Sequence, residues 1–339
     1  MRAEIDRRRR ARWRVAVGVA VVLAAPRVAP CAEGEGAARN VARPPMPEHI
    51  GFGAAALESL AGEVYDTEKR WRPLTLGSFF TDGWDEAWVS GPRGDGGNGA
   101  PRQGWLTAFD GVFYRLAIAT YGFARDNAEN GNRHIGAVTL YAPLNRRLEL
   151  RVDLPIVQNQ RTSDSGDGYK TAAGDMHLTP TFMLSESEDV TQTFNVDFRV
   201  PTGNTNMGNE VAAITPRYEF WANWWRGLVV RGGTGVAVPY SHQGVREAGA
   251  RTTYFANVAS GYYFTDHDVT PFGDLVFYLD ANLDQLTDGR GPATTTVLMA
   301  PGFRSHLGRD WYLLGAIEVP VTRPEPFDYQ LLAGLMKVF

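Results

Sequence analysis

The sequence predicts an all-β fold: an antiparallel up-and-down transmembrane β-barrel of about twelve strands, with short periplasmic turns and longer external loops. Three observations predict it. The N-terminus has the layout of a secretory signal. From Trp105 onward, segments of about ten residues alternate in polarity, and their connections alternate between long and short. The last of these segments, "FDYQLLAGLMKVF", runs to an aromatic residue, Phe339.

At the N-terminus, "RRRRARWR" (7–14) is a cationic stretch, "VAVGVAVVLAAP" (15–26) a short apolar run, and small residues follow in "VAPCAEG". This is a signal peptide over 1–32, with cleavage near Cys31 or Ala32. The apolar run is too short to span a bilayer as a helix. A free basic arm would explain the arginines but not that run, and no motif flanks them to complete a twin-arginine signal. Cys31 is the single cysteine, so no intramolecular disulfide forms, and its expected fate is removal with the signal. No other segment reads as a membrane helix, so entry into a membrane requires a closed barrel, where every backbone polar group is paired. The net charge of −4 argues against a nucleic-acid partner. Aromatics at 12% with 37 glycines suit strands and turns better than a helical bundle.

Residues 33–103 are expected to form an N-terminal periplasmic or plug-like extension. "AAALESLAGEVY" is a short helix candidate, and "TDGWDEAWVSGPRGDGGNGAPRQGW" is rich in Gly and Trp without alternation. The first twenty or so of these residues read equally well as a disordered linker.

Residues 104–339 form the barrel unit. The expected strands are 112–123, 134–142, 147–157, 175–185, 192–201, 213–222, 227–238, 252–264, 269–281, 294–305, 311–321 and 328–339. "PLNRR", "SESEDV", "NWWRG", "TDHD" and "GRD" are the short connections; "ARDNAENGNR", "QNQRTSDSGDGYKTAAG" and "PYSHQGVREAGARTT" are among the long ones. An even strand count with this rhythm is the outer-membrane rule, and a soluble β-sandwich, the alternative fold, has no reason to keep it.

Alternation then sorts side chains. Leu148, Leu150, Val152, Leu154 and Ile156 share one face, and Glu149, Arg151 and Asp153 the other. Phe194, Val196 and Phe198 oppose Asn195, Asp197 and Arg199, while Tyr218 and Phe220 oppose Arg217 and Glu219. Arg or Lys on a lipid face costs about 2–4 kcal/mol at midplane, so these charges are assigned to the lumen. Arg115, Arg231, Asp274, Asp280, Arg304 and Glu318 join them. The signs nearly balance, which favours a braced bore over a strongly ion-selective pore. Arg151 and Arg199 are expected to join Asp153, Asp197 and Glu219 in one cross-strand network. Trp221, Trp224, Trp225 and Trp311 are assigned to an aromatic girdle at the headgroups. Tyr329, Leu331, Ala333, Leu335 and Phe339 share the face of the closing strand and resemble the C-terminal signature that the barrel assembly machinery reads; Lys337 departs from it.

"GDMHLTPTFML" and "FNVDFRVPTGN" place Gly174 and Asp175 before one strand and Pro201, Thr202 and Gly203 at the end of the next. Here the chain resembles the outer-membrane transporter family of the phenol meta-degradation pathway, over about residues 110–339. The resemblance implies an outer-membrane barrel that passes small hydrophobic or aromatic molecules, and no catalytic residue.

An enzyme barrel would need a nucleophile and a base within reach. Ser305–His306 and Ser241–His242 are sequence neighbours, which point to opposite faces of a strand. "DANLDQLTDG" begins like a calcium loop at Asp280, Asn282 and Asp284 but has Gln285 where Gly is required. No catalytic, cofactor or metal site is therefore assigned. The expected function is a transporter or channel for small molecules, with hydrophobic or aromatic ones as the class the resemblance implies; the rival is a structural or adhesive barrel acting through its external loops. The expected partners are the lipid bilayer with lipopolysaccharide, the assembly machinery and a small-molecule solute.

Overall fold

The computed structural model describes residues 48–65, 70–92, 101–102, 104–127, 131–161, 168–204, 210–225, 227–241, 251–288 and 294–339. The expected signal peptide, Cys31 and the "GDGGNG" stretch lie outside the described residues. The first described element is a helix, α1 (Phe52–Ala61), followed by a single 3-10 turn, Leu76–Ser78. Strands then run to the end: β1 (Leu116–Arg125), β2 (Arg133–Pro143), β3 (Leu148–Arg161), β4 (Tyr169–Ala172), β5 (Met176–Glu186), β6 (Val190–Val200) and β7 (Ala213–Trp225). They continue with β8 (Leu228–Pro239), β9 (Thr253–Tyr263), β10 (Gly273–Leu286), β11 (Thr295–Gly308), β12 (Trp311–Pro320) and β13 (Tyr329–Val338).

Sequential neighbours pair antiparallel, with two exceptions that define the architecture. β3 skips the four-residue β4 to pair with β5, so β4 is a short flap on β3. β1 pairs with β13, from Leu116↔Val338 to Arg125↔Tyr329. With β1–β2 and β2–β3 also paired, twelve strands make a closed ring with no free edge. Short turns collect at one rim, where β2–β3, β5–β6, β7–β8 and β11–β12 connect, and the long connections collect at the other.

The ring has an apolar outside and a polar inside. On β13, Leu331, Ala333 and Leu335 are exposed while Gly334, Met336 and Val338 are buried. On β6, Phe194 and Phe198 face out while Thr193, Asn195 and Asp197 are buried. Phe277, Leu279, Leu313 and Ile317 extend this outer belt. Among the described residues no helix is long and apolar enough to cross a membrane; the strands supply the crossing surface.

The first strand begins at Leu116 rather than at residue 112. Gly111 to Tyr114 are buried, and Tyr114 gives its N–H to the Glu149 carboxylate (2.8 Å) rather than to the backbone of a neighbouring strand. β10 begins at Gly273 rather than 269 because 264–272 folds as a tight connection knotted by its own backbone hydrogen bonds, Phe272 N to Val269 O and Phe264 N to Leu275 O (both 2.8 Å).

Candidate functional site

Residues 101–115 run through the bore. Trp105 stacks on Tyr278 of β10 (4.6 Å, 5°) and directs its indole N–H at the Tyr263 hydroxyl on β9 (3.3 Å). Phe109 donates its backbone N–H to Asn257 on β9 (3.1 Å), and Asp110 pairs with Arg231 on β8 (2.9 Å). Two wall glycines make room: a Cβ at Gly261 would come within 2.8 Å of Trp105, and one at Gly233 within 2.9 Å of Phe109. Contacts from Tyr114 to β3 and from Gly111 to Phe220 of β7 complete a filling that touches strands around much of the ring.

At the short-turn rim residues 72–86 and Arg102 are held by ion pairs and hydrogen bonds. Arg102 donates to Glu186 (2.9 Å), to Thr191 and to the Ser187 and Glu188 carbonyls. Arg146 lies between Glu186 (3.3 Å) and Glu86 (3.6 Å), and Arg72 reaches Glu86 (2.6 Å). Arg147, fully buried, binds carbonyls of Asp82, Met183, Leu184, Thr75 and Ser78. "NRR", read as a tight polar turn, is thus a socket for the preceding segment. Two arginines in a four-residue turn are the signal that marks it, but their partners lie tens of residues away.

The charged residues sort as follows. Glu149, Asp197, Glu219, Arg231, Asp280 and Arg304 are buried within the ring. Arg151 pairs with Asp153 on its own strand (2.9 Å). Asp197 takes hydrogen bonds from His177 (2.9 Å) and Thr179 (2.8 Å) on β5. Arg199 pairs with Asp175 (2.7 Å). Arg217 bonds Asn195 (2.7 Å) and approaches Glu219 (3.6 Å). Asp274 meets His267 (2.7 Å), Arg304 lies against the Tyr263 and Tyr312 rings, and Glu318 accepts from Gln330 (3.0 Å). The single network expected around Arg151 and Arg199 is instead a set of local pairs, because β5 separates β3 from β6.

Two residues depart from their expected places. Arg115 precedes β1 and sits at the rim, donating to the carbonyls of Ser59, Gly62 and Phe339. Trp221 is buried inside the ring, 1% exposed, with the Arg102 guanidinium 5.0 Å from its ring centroid. Its parity with Arg217 and Glu219 on β7 carries it inward. Trp224, Trp225 and Trp311 are exposed, and Lys337 curls to the Arg309 carbonyl (2.8 Å).

Asp175 explains the Gly-Asp and Pro-Thr-Gly motifs together. Its buried carboxylate accepts from the N–H groups of Gly203 (2.9 Å), Glu210 (2.8 Å) and Val211 (3.2 Å), so it ties the β6–β7 connection to the start of β5. Burial alone would raise its pKa, but these donors and Arg199 hold it below the usual carboxylate range.

Two cavities lie inside the ring among the described residues. One of about 310 Å³ is bounded by Arg151, Asp153, His177, Asp197 and Arg217. The other, about 320 Å³, is bounded by Thr107, Phe109, Arg217, Phe255, Asn282, Asp284 and Glu318 among others. Arg217 borders both. The first is lined by paired charges of both signs, the second carries Asp284 and Glu318 opposite Arg217's single charge, and beside it Phe109 meets Phe255 edge to face (5.6 Å).

No protein-family model and no curated relative matches the sequence. Solved structures do. The COG4313 outer membrane channel from Pseudomonas putida F1 matches at TM-score 0.51 and 14% identity, over 66% of this chain and 94% of that one. KdgM porin matches at TM-score 0.46 and 8% identity over 66% and 99%. LpxR from Salmonella typhimurium matches at 0.40 and 9% over 66% and 100%. The fold is that of outer-membrane barrels, and a closed barrel wearing this apolar belt belongs in the outer membrane.

Proposed function

We propose that the chain is an outer-membrane channel for small molecules whose bore is closed by its own residues 101–115. The observation that carries this reading is the passage of that segment through the ring, held by the Asp110–Arg231 pair and the Trp105–Tyr278 stack. Conduction then requires the segment to shift, and the rim clamp and the lumen pair set how readily it does so. The cavity beside Phe109 and Phe255 suits a small aromatic solute that turns a polar group toward Arg217 or Asn282. This agrees with what the resemblance to the phenol meta-pathway transporters implies. The polar, charge-paired wall argues against a bulk hydrophobic path.

On this reading the outward face of β13, with Leu331 and Leu335, and the Phe339 that follows it contact lipid and are the part the assembly machinery reads. The long connections at the opposite rim face lipopolysaccharide. The filled bore also favours a second reading, a barrel that is structural or adhesive and never conducts. Planar-bilayer conductance separates the two. The full chain should conduct weakly, and a variant with Trp105, Phe109 and Asp110 all changed to Ala should conduct clearly more. Equal, negligible conductance from both, with the barrel folded, would establish the second reading.

A further inference from the structure

At the short-turn rim, two histidines meet. His267 lies on the β9–β10 connection and His306 near the end of β11; their rings stack at 4.0 Å and 11°. Each has its Nδ1 engaged: His267 with the Asp274 carboxylate (2.7 Å), His306 with the His267 backbone carbonyl (2.9 Å). A carboxylate and a carbonyl accept only, so each Nδ1 donates, and in the neutral imidazole it is then Nε2 that carries the lone pair. His306 is 4% exposed, and its Nε2 is buried with no hydrogen-bond partner among the described residues. Asp310, on the two-residue β11–β12 turn, completes a group in which one donor atom from each residue lies within 4.8 Å of the others.

We propose that His267, His306 and Asp310 form a binding site for a divalent transition-metal ion of the zinc class. Two imidazoles and a carboxylate are a donor set that suits zinc and leaves a fourth position for water. A buried imidazole nitrogen without a partner is costly, and a metal bond would satisfy it. The outer hydrogen bonds are those that fix a ligating histidine: Nδ1–H to a carboxylate in one ring and to a carbonyl in the other. Bonds of about 2.0–2.1 Å bring tetrahedral donors to roughly 3.3 Å apart. Binding therefore turns the two rings out of their stack and swings the exposed Asp310 inward, away from Lys337, whose Nζ is 3.5 Å from its carboxylate. The ion would staple two adjacent turns of one rim. The other cluster of this kind, His49 with Asp85 and Glu86, is weaker, since Glu86 already serves Arg72 and Arg146.

The test uses the full chain, untagged, folded in detergent, titrated with Zn²⁺ by calorimetry and with Co²⁺ by visible absorption. The expected result is one ion per chain, an intense tetrahedral Co²⁺ spectrum, and a rise in unfolding temperature with added Zn²⁺. His306→Ala should abolish all three. Asp310→Asn, at an exposed turn that does not threaten folding, should weaken binding about tenfold or more. Heat-modifiable migration on a gel checks that each variant is folded; if His306→Ala is not, Asp310→Asn decides. Absence of saturable binding in the unchanged chain, or binding unaltered in folded His306→Ala or in Asp310→Asn, overturns the proposal.

Discussion

Asp110 and Arg231 meet at 2.9 Å inside the ring, one from the segment that fills the bore and the other from β8. The arginine is fully buried and also donates to the Arg102 carbonyl (3.0 Å). The pair therefore joins two parts of the segment to one wall residue. Removing one partner of a buried pair strands the other, a loss of about 3–5 kcal/mol. Asp110→Ala should lower barrel stability by about that amount in denaturant unfolding and raise single-channel conductance. Asp110→Ala combined with Arg231→Met removes both charges and should recover much of the stability while keeping the conductance. Failure of the double variant to recover would show that the pair is not the principal lock.

The rim clamp predicts a different signature. Glu186 serves both Arg102 and Arg146, all three buried. Glu186→Ala leaves two guanidinium groups without that carboxylate, at a cost of about 3–5 kcal/mol. Because the clamp anchors Arg102 and the Arg72–Glu86 stretch rather than the strands, the first observable should be protease cutting near those residues in an otherwise folded, heat-modifiable barrel. Cutting at the same rate as in the unchanged chain would count against an anchoring role.

Asp175 gives a pH dependence whose sign follows from its lowered pKa. A carboxylate depressed in the native state stabilises fully above its unfolded pKa of about 3.9, and that contribution is lost as pH falls through the lower native value. Asp175→Asn should cost about 1–3 kcal/mol at neutral pH. The difference between the two proteins should shrink only in strong acid, below about pH 4. A difference already gone at pH 5 would contradict the geometry.

The barrel was legible in the sequence because its information is local. Phe194, Val196 and Phe198 against Asn195, Asp197 and Arg199 give the two faces of β6 directly, and closure follows from the long–short rhythm of the connections. Residues 101–111 carried no such signal, and 112–115 read as the start of the first strand. The partners of 101–115, Glu149, Arg231, Asn257 and Tyr278, sit on strands far apart in sequence, and a segment surrounded on all sides shows no period. Arg146 and Arg147 were hidden for the same reason, since turn arginines are ordinarily solvated. Trp221 is the opposite case: strict counting from Arg217 and Glu219 carries it into the lumen, and only its nearness to Trp224 and Trp225 pulled it toward a girdle.

That distinction can be measured. Trp224 and Trp225 are 73% and 64% exposed on the outside of the ring near the short-turn rim, where indoles favour the headgroup region. Trp221 lies inside against Arg102. In vesicles containing brominated lipid, changing Trp224 and Trp225 to Phe should reduce the lipid-quenched part of the fluorescence. Trp221→Phe should leave that part unchanged and instead weaken the packing around Arg102, where a desolvated cation–π contact is worth up to about 2 kcal/mol. Loss of lipid quenching in Trp221→Phe would reverse the parity of β7, and with it the inward assignment of Arg217 and Glu219.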